Sequence, residues 1–454
     1  MRSRANSTHV LDRLLRPFTK VAPGEGLQAL LMLVCVMLIL TAYYVLKTAR
    51  EGLILSRGTF GLRGDELKTY ATAVMALLLV GVVRGYGTLA NQLPRIRLIN
   101  ASYAVVMGCL MAFYLLGRAG VPIGLAFFIW LGIASVLLVA QFWSYANDLY
   151  SEEQGKRLFA IIATGGSIGA IIGPRIAGSL DTFALMPIAA GILFAAALVF
   201  NLIEHVHQHM GPNGVAEKPP SGQGGFALVL RDRYLLLIAS MLLVLNLVNT
   251  TGEFVLSSFV REHAQAAYPD DENARRELIK AFYGNFFFWV NAIAFVVQAF
   301  VVSRVIDRIG VRRALFVLPL VAFGAYAMIG LFGGIALVRI AKIGENSLDY
   351  SVQNTVRQAL FLRTSRAVKY KAKAAIDTFF VRAGDTLSAI FVGVAIHQLA
   401  LSAREIALVN VVLVLLWLAI AAGIAYQHRL LGSRRAPNAQ PWTTPVPAGA
   451  GASA

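Results

Sequence analysis

Apolar runs of roughly 18 residues or more recur near 27–55, 67–90, 98–117, 122–149, 157–178, 184–204, 233–260, 280–303, 314–333, 335–362, 372–398 and 404–427. In a bilayer every backbone N–H and C=O must be satisfied inside the protein, so runs of this length leave spanning helices as the solution. Charged residues are only 14% of the chain and mean hydropathy is +0.65, which excludes an ordinary soluble domain. The expected fold class is an all-α polytopic membrane protein with twelve transmembrane helices in two six-helix halves.

The division into halves comes from 205–225, rich in Gly, Pro, Ser and Gln, which cannot bury enough apolar surface to fold. The expected organisation is a cytoplasmic N-terminal segment (1–26), an N-terminal half (27–205), a flexible cytoplasmic linker (206–230), a C-terminal half (231–428) and a disordered cytoplasmic tail (429–454). The net charge of +17 does not point to nucleic acid, because the basic residues fall mainly in short loops between spans. The even-numbered loops carry them: Arg84, Arg95 and Arg97; then Arg304, Arg308, Arg312 and Arg313 around Asp307; then 363–373. The positive-inside rule places both termini and the linker in the cytoplasm, with a bacterial inner membrane as the expected location and a monomer as the expected state.

Cys35 and Cys109 lie within apolar runs as small hydrophobes, so no disulfide, metal or other cofactor is expected. His205, His207 and His209, at the mouth of the linker, read as solvated residues. No nucleophile, base and oxyanion set can be assembled, so no catalytic residue is named and the chain reads as a non-enzyme.

The polar residues inside the apolar runs are the functional candidates, since ionisable groups at that depth cost several kcal/mol unless paired or wet. The stretch 342–388 is densest. Asn346, Asp349, Gln353 and Arg357 recur at three- and four-residue steps on one helix face, beside Tyr350, and the next span carries Asp377, Arg382 and Asp385. In the first span, Tyr43, Tyr44, Lys47, Arg50 and Glu51 offer two cations and two phenols to an anionic, ring-bearing substrate. The seventh adds Asn246, Asn249 and Glu253. Substrate contacts are expected from Tyr43, Tyr44, Lys47, Arg50, Asn246, Asn249, Asn346, Tyr350 and Arg357. Gating or proton coupling is expected from Glu51, Glu253, Asp307, Asp349, Asp377, Arg382 and Asp385. The bland alternatives are snorkelling of Lys47 and Arg50 to the outer interface and mutual pairing of the rest as structural glue. Gly165, Gly169 and Gly173, four apart, read as a helix-packing face.

The halves echo each other. The basic loop 91–100 after the second span answers 305–315 after the eighth, and 151–157 answers 364–373, both at an offset of about 215 residues. Parallel repeats of this kind relate two halves by an axis along the membrane normal. The loop DRIGVRR (307–313) resembles the cytoplasmic loop signature of the major facilitator superfamily. YYVLKTARE (43–51), FWSYAND (142–148), LNLVN (245–249) and DYSVQNTVRQALF with KAKAAIDTFFVRAGD (349–361, 371–385) resemble the ATP/ADP translocase family of plastids and intracellular bacteria, in a divergent bacterial form. Arg50 and Glu51 stand where that family resembles a Lys and Asp pair, Asn249 takes an acidic place and Asp385 that of a Lys. The resemblance implies exchange of nucleotides or related phosphorylated anions by alternating access. The readings kept beside it are a proton-coupled carrier of another organic anion and a non-transporting membrane sensor, which would show fully paired charges and no central cavity.

Overall fold

A computed structural model describes residues 25–90, 92, 94–208, 229–361 and 372–435. The expected N-terminal segment up to residue 24, most of the linker, the basic loop 362–371 and the tail after 435 lie outside the described residues. The rest forms helices: α1 (Glu25–Leu55), α2 (Gly64–Ala90), α3 (Arg95–Arg118), α4 (Gly124–Leu149), α5 (Glu152–Gly178), α6 (Leu185–Gln208), α7 (Arg233–Ala267), α8 (Glu272–Ala314), α9 (Val317–Phe332), α10 (335–360), α11 (373–397) and α12 (Ala403–Arg435).

Eight of these, α1, α3 to α8 and α12, are long and apolar enough to cross a membrane. α9 is apolar but only 16 residues long. α2, α10 and α11 carry charges within their lengths, among them Lys68, Lys342, Glu345 and Asp385, and the surrounding bundle satisfies most of these. The protein is a multi-pass membrane protein. Large apolar side chains such as Leu77, Val105, Ile340 and Val412 stand on its outside, as a lipid-facing surface requires.

Two apolar cores form. One is built by α1 and α3 to α6, from Ala29 to Ile203; the other by α7 to α12, and Tyr44, Leu67, Ala71 and Phe128 of the first half reach into it. α1 and α7 are the most buried spans and α3 the least, so the first helix of each half lies inside. α5 presses against α1 through its glycines. A Cβ on Gly165 or Gly169 would fall 2.3 Å from the carbonyl oxygen of Leu33 or Met37, so only glycine lets the two backbones approach this closely. Between the halves, α2 meets α11 and α5 meets α8.

The described C-terminal half departs from regular α-helix at three π turns and at a kink within α8. α8, α10 and α11 each contain a single turn of π-helix, at Val297–Val301, Asp349–Gln353 and Ile376–Phe380. Such turns insert one residue into the α ladder and often mark functional positions. Within 307–313 the chain turns at Gly310, whose φ of +74° favours glycine. The α7–α8 loop is shorter than the apolar runs suggest. α7 continues to Ala267 and α8 begins at Glu272, so Arg261, Arg276 and Lys280 belong to helices.

Candidate functional site

Near its C-terminal end α1 presents Glu51, 1% exposed, which forms ion pairs with Arg50 (3.2 Å) and with Lys68 of α2 (2.8 Å). Lys68 donates to the Ser257 hydroxyl of α7 (3.0 Å) and lies 3.7 Å from Glu253. Glu253 accepts from the Asn346 amide of α10 (3.1 Å) and lies 4.0 Å from Lys342. Lys342 pairs with Glu345 at 2.8 Å, and the Tyr326 hydroxyl donates to the same carboxylate at 2.9 Å. Cations and carboxylates thus alternate across both halves. Each buried ion costs several kcal/mol to desolvate, and that alternation offsets the cost. Gly252 keeps the space open: a Cβ there would fall 1.8 Å from the Tyr326 hydroxyl and 2.9 Å from Lys342 Nζ.

Further contacts tie the halves at the same end. Asp65 pairs with Arg261 (3.0 Å) and accepts from Ser258 (2.7 Å); His397 meets Glu66 at 3.4 Å; the Thr182 hydroxyl donates to Glu277 (2.6 Å). Every one of these lies toward the loops that follow α1, α5, α7 and α11, here called the odd-loop end. A broad cleft of about 730 Å³ sits there, lined by mixed charges including Arg57, Arg118, Asp181 and Glu272.

Deeper, toward the linker end, the polar face of α10 opens on a different space. A cavity of about 380 Å³ is lined by Tyr44, Leu245, Asp349, Tyr350, Gln353, Asn354 and Arg357. A neighbouring one of about 330 Å³ shares Tyr44 and Tyr350 and adds Trp143, Asn291 and Gln298. Volumes of this order suit a small-molecule site. Both halves contribute, and the Tyr44 hydroxyl crosses between them to Asn291 (3.2 Å). Beside Tyr44, the Lys47 ammonium lies over the rings of Tyr44 (5.1 Å) and Phe287 (4.3 Å). No carboxylate among the described residues comes within ion-pair distance of it. Arg357 donates to Asn354 (3.2 Å) and its buried Nε has no partner. Asp349 likewise faces the cavity without an ion pair among the described residues.

The expected residues therefore separate. Tyr44, Asp349, Tyr350 and Arg357 come together on the cavity, with Tyr43 against Tyr44 (5.1 Å) and Lys47 beside them. Arg50 does not line it in this conformation; its guanidinium lies on the Phe128 ring (4.4 Å) and against Glu51. Glu51, Glu253 and Asn346 belong to the ion network. Asn246 donates to its own helix at Leu242, and Asn249 is partly buried nearby. Arg382 pairs with Asp385 (3.2 Å), which also accepts from Thr250 of α7 (2.8 Å). Asp377 sits in the π turn of α11. Asp307 is exposed at the linker end and makes no ion pair among the described residues.

Sequence reasoning missed Lys68, Lys342, Glu345 and Tyr326. Lys68, at the edge of the second apolar run, is only 8% exposed. Lys342 and Glu345, three apart at the start of the densest polar stretch, were the available signal for a buried pair.

The family profile described as Major Facilitator Superfamily matches residues 27–344. ADP,ATP carrier protein 1 of Chlamydia trachomatis serovar D is 24% identical over 298 residues, 55% of this chain and 54% of that one. ADP,ATP carrier protein 1, chloroplastic, of Arabidopsis thaliana is 22% identical over 344 residues, 66% of this chain and 53% of that one. The chain spans about half the length of the curated relatives it matches. Among solved structures, a bacterial homologue of the iron transporter ferroportin in an inward-facing state superposes with a TM-score of 0.61 at 14% identity, covering 88% of this chain and 98% of that one. The nucleoside transporter NupG does so at 0.57 and 12%, covering 87% and 98%. At such identities the superpositions speak for the fold alone.

Proposed function

The chain belongs to the Major Facilitator Superfamily, a family of carriers and not of enzymes, and on that premise we propose that it exchanges nucleotides or related phosphorylated anions by alternating access. The observation that carries this reading is positive charge without an ion pair among the described residues, Arg357 on the cavity wall and Lys47 beside its Tyr44. Lys47 and Arg357 stand beside Tyr44 and Tyr350 with no carboxylate pairing either among the described residues. Unpaired cations beside flat aromatic rings suit a ligand that carries both negative charge and a ring. The names of the curated relatives agree with that chemistry. Against the sensor alternative, Lys47, Asp349 and Arg357 lack an ion pair among the described residues and a cavity lies between the halves.

The geometry supports a working cycle of this kind. The odd-loop end is held by inter-half ion pairs, and the cavity lies toward the linker. Anion binding between Lys47 on α1 and Arg357 on α10 draws on both halves at once, and the two ends open in turn as the halves rock. The loop charges support a linker and termini on the cytoplasmic side of a bacterial inner membrane. A cysteine introduced within 211–225 should resist an impermeant reagent applied from outside; labelling there would reverse the orientation.

The direct test is exchange in proteoliposomes loaded with unlabelled ADP and supplied with labelled ATP. Uptake that depends on internal nucleotide supports exchange; no nucleotide uptake in either loading condition removes it. The second reading, proton-coupled transport of another organic anion, is favoured by Asp349 facing the cavity without an ion pair. It predicts uptake driven by a pH gradient with no internal counter-substrate.

A further inference from the structure

Gln353 lines the cavity from the π turn of α10 and is 1% exposed. Neither its Nε2 nor its Oε1 has a hydrogen-bond partner, and among the described residues it is the one side chain with both polar atoms buried and unpaired. Other buried amides are half-answered: Gln141 donates to Ser102 and Asn410 to the Val248 carbonyl. A wholly unanswered amide in a protein interior is costly, and native structures retain such groups where something else supplies the partner.

The chemistry of the group narrows what that partner is. A carboxamide presents a donor beside an acceptor in one plane. A phosphate offers acceptors only, so it would leave Oε1 unpaired. The edge of a nucleobase offers a donor and an acceptor side by side, the complement that lets Gln pair with adenine through two bonds. Tyr44 and Tyr350 line the same cavity and give a heteroaromatic ring flat surfaces to lie on, while Arg357, four residues beyond Gln353, is left to meet charge. We propose that Gln353 is the specificity-determining residue of this site, its amide reading a nucleobase edge while Lys47 and Arg357 take the phosphates. The proposal rests on the nucleotide reading above and adds to it which part of the ligand is read and by what.

The test uses purified full-length protein and two probes, AMP and ribose 5-phosphate, which differ by the base. The parent should bind AMP more tightly than ribose 5-phosphate. Gln353→Met, which keeps the volume and removes the amide, should weaken AMP about tenfold, leave ribose 5-phosphate unchanged, and raise the ligand-free Tm because a desolvated polar pair is gone. Gln353→Asn, which withdraws the amide by one carbon with little change in polarity, should show the same selective loss and guards against a folding failure of the methionine variant. Unchanged AMP affinity in both variants overturns the role of Gln353 and leaves the carrier reading intact. Equal losses for both probes overturn it too, since the residue then serves the fold or the conformational change. A parent that binds neither probe and does not bind ADP removes the nucleotide reading together with this inference; one that binds ADP alone moves the same comparison, with the same expected outcomes, to ADP and ribose 5-diphosphate.

Discussion

The two ends of this molecule handle charge in opposite ways. At the odd-loop end Arg50, Glu51, Lys68, Glu253, Lys342 and Glu345 answer one another across the halves. Around Tyr44 and Tyr350, Lys47, Asp349 and Arg357 have no ion pair among the described residues, and the Gln353 amide has no hydrogen-bond partner. A paired buried ion contributes to holding a conformation, because removing its partner leaves a desolvated charge. An unpaired one at a cavity contributes little to the fold and leaves its interaction energy for a ligand. Substitutions at the first end should therefore move stability or conformation, and at the second, affinity.

The largest effect is expected at Glu345. Glu345→Ala leaves the fully buried Lys342 with Glu253 at 4.0 Å as its one remaining carboxylate among the described residues, beside the Tyr326 hydroxyl, and should cost about 3–5 kcal/mol, read as a lowered Tm in detergent. Replacing both partners, Lys342→Met with Glu345→Leu, should recover most of it; a double variant as unstable as the single one would show that pairing is not what matters there. Lys47→Ala should reverse the pattern. Tm stays within a degree or two while nucleotide affinity falls ten- to hundredfold, about 1.5–3 kcal/mol, and a large loss of Tm instead would erase the distinction between the ends.

Lys68→Met removes one tie between α2 and α7, leaving the Asp65–Arg261 pair, and should shift the conformational balance by about 1–2 kcal/mol toward opening at the odd-loop end. A cysteine at position 249 should then react faster with a reagent supplied from that side, and an unchanged rate would mean the network is only structural. The smallest change in stability belongs to Asp307→Asn. The side chain is exposed, so stability should move by no more than about 0.5 kcal/mol. If Asp307 latches the linker end in the opposite conformation, the same variant speeds labelling of cavity cysteines from the linker side.

The fold was legible because run length and apolar content are set by the bilayer, and each expected span overlaps one helix. Tyr44, Tyr350 and Arg357 could be placed together because helical spacing on α1 and α10 survives in the bundle. The role of Lys68 could not be read. Whether a lysine four residues into a helix meets water or Glu51 depends on which helix stands opposite, and that is tertiary information. Arg50 shows the same limit: its spacing suits the site, but the packing of α4 against α1 puts Phe128 under its guanidinium. The partners of Glu253 were equally hidden: Lys68 of α2 and Lys342 and Asn346 of α10 reach it only in the folded bundle.

The single π turns in α8, α10 and α11 have a geometric corollary. An α-helix rotates by about 100° per residue, so one additional residue re-phases everything beyond it relative to an uninterrupted helix. Deleting one residue from Asp349–Gln353 should swing Arg357 around the axis of α10 by that angle and away from Tyr44. The defect is also portable: shifted by one turn, it rotates only the residues it passes and leaves both ends of the helix in register with their neighbours. Among the described residues such turns occur only in the C-terminal half, so the two halves of a repeated architecture differ in mechanical character, one closer to a rigid wall and the other to a wall with adjustable dials.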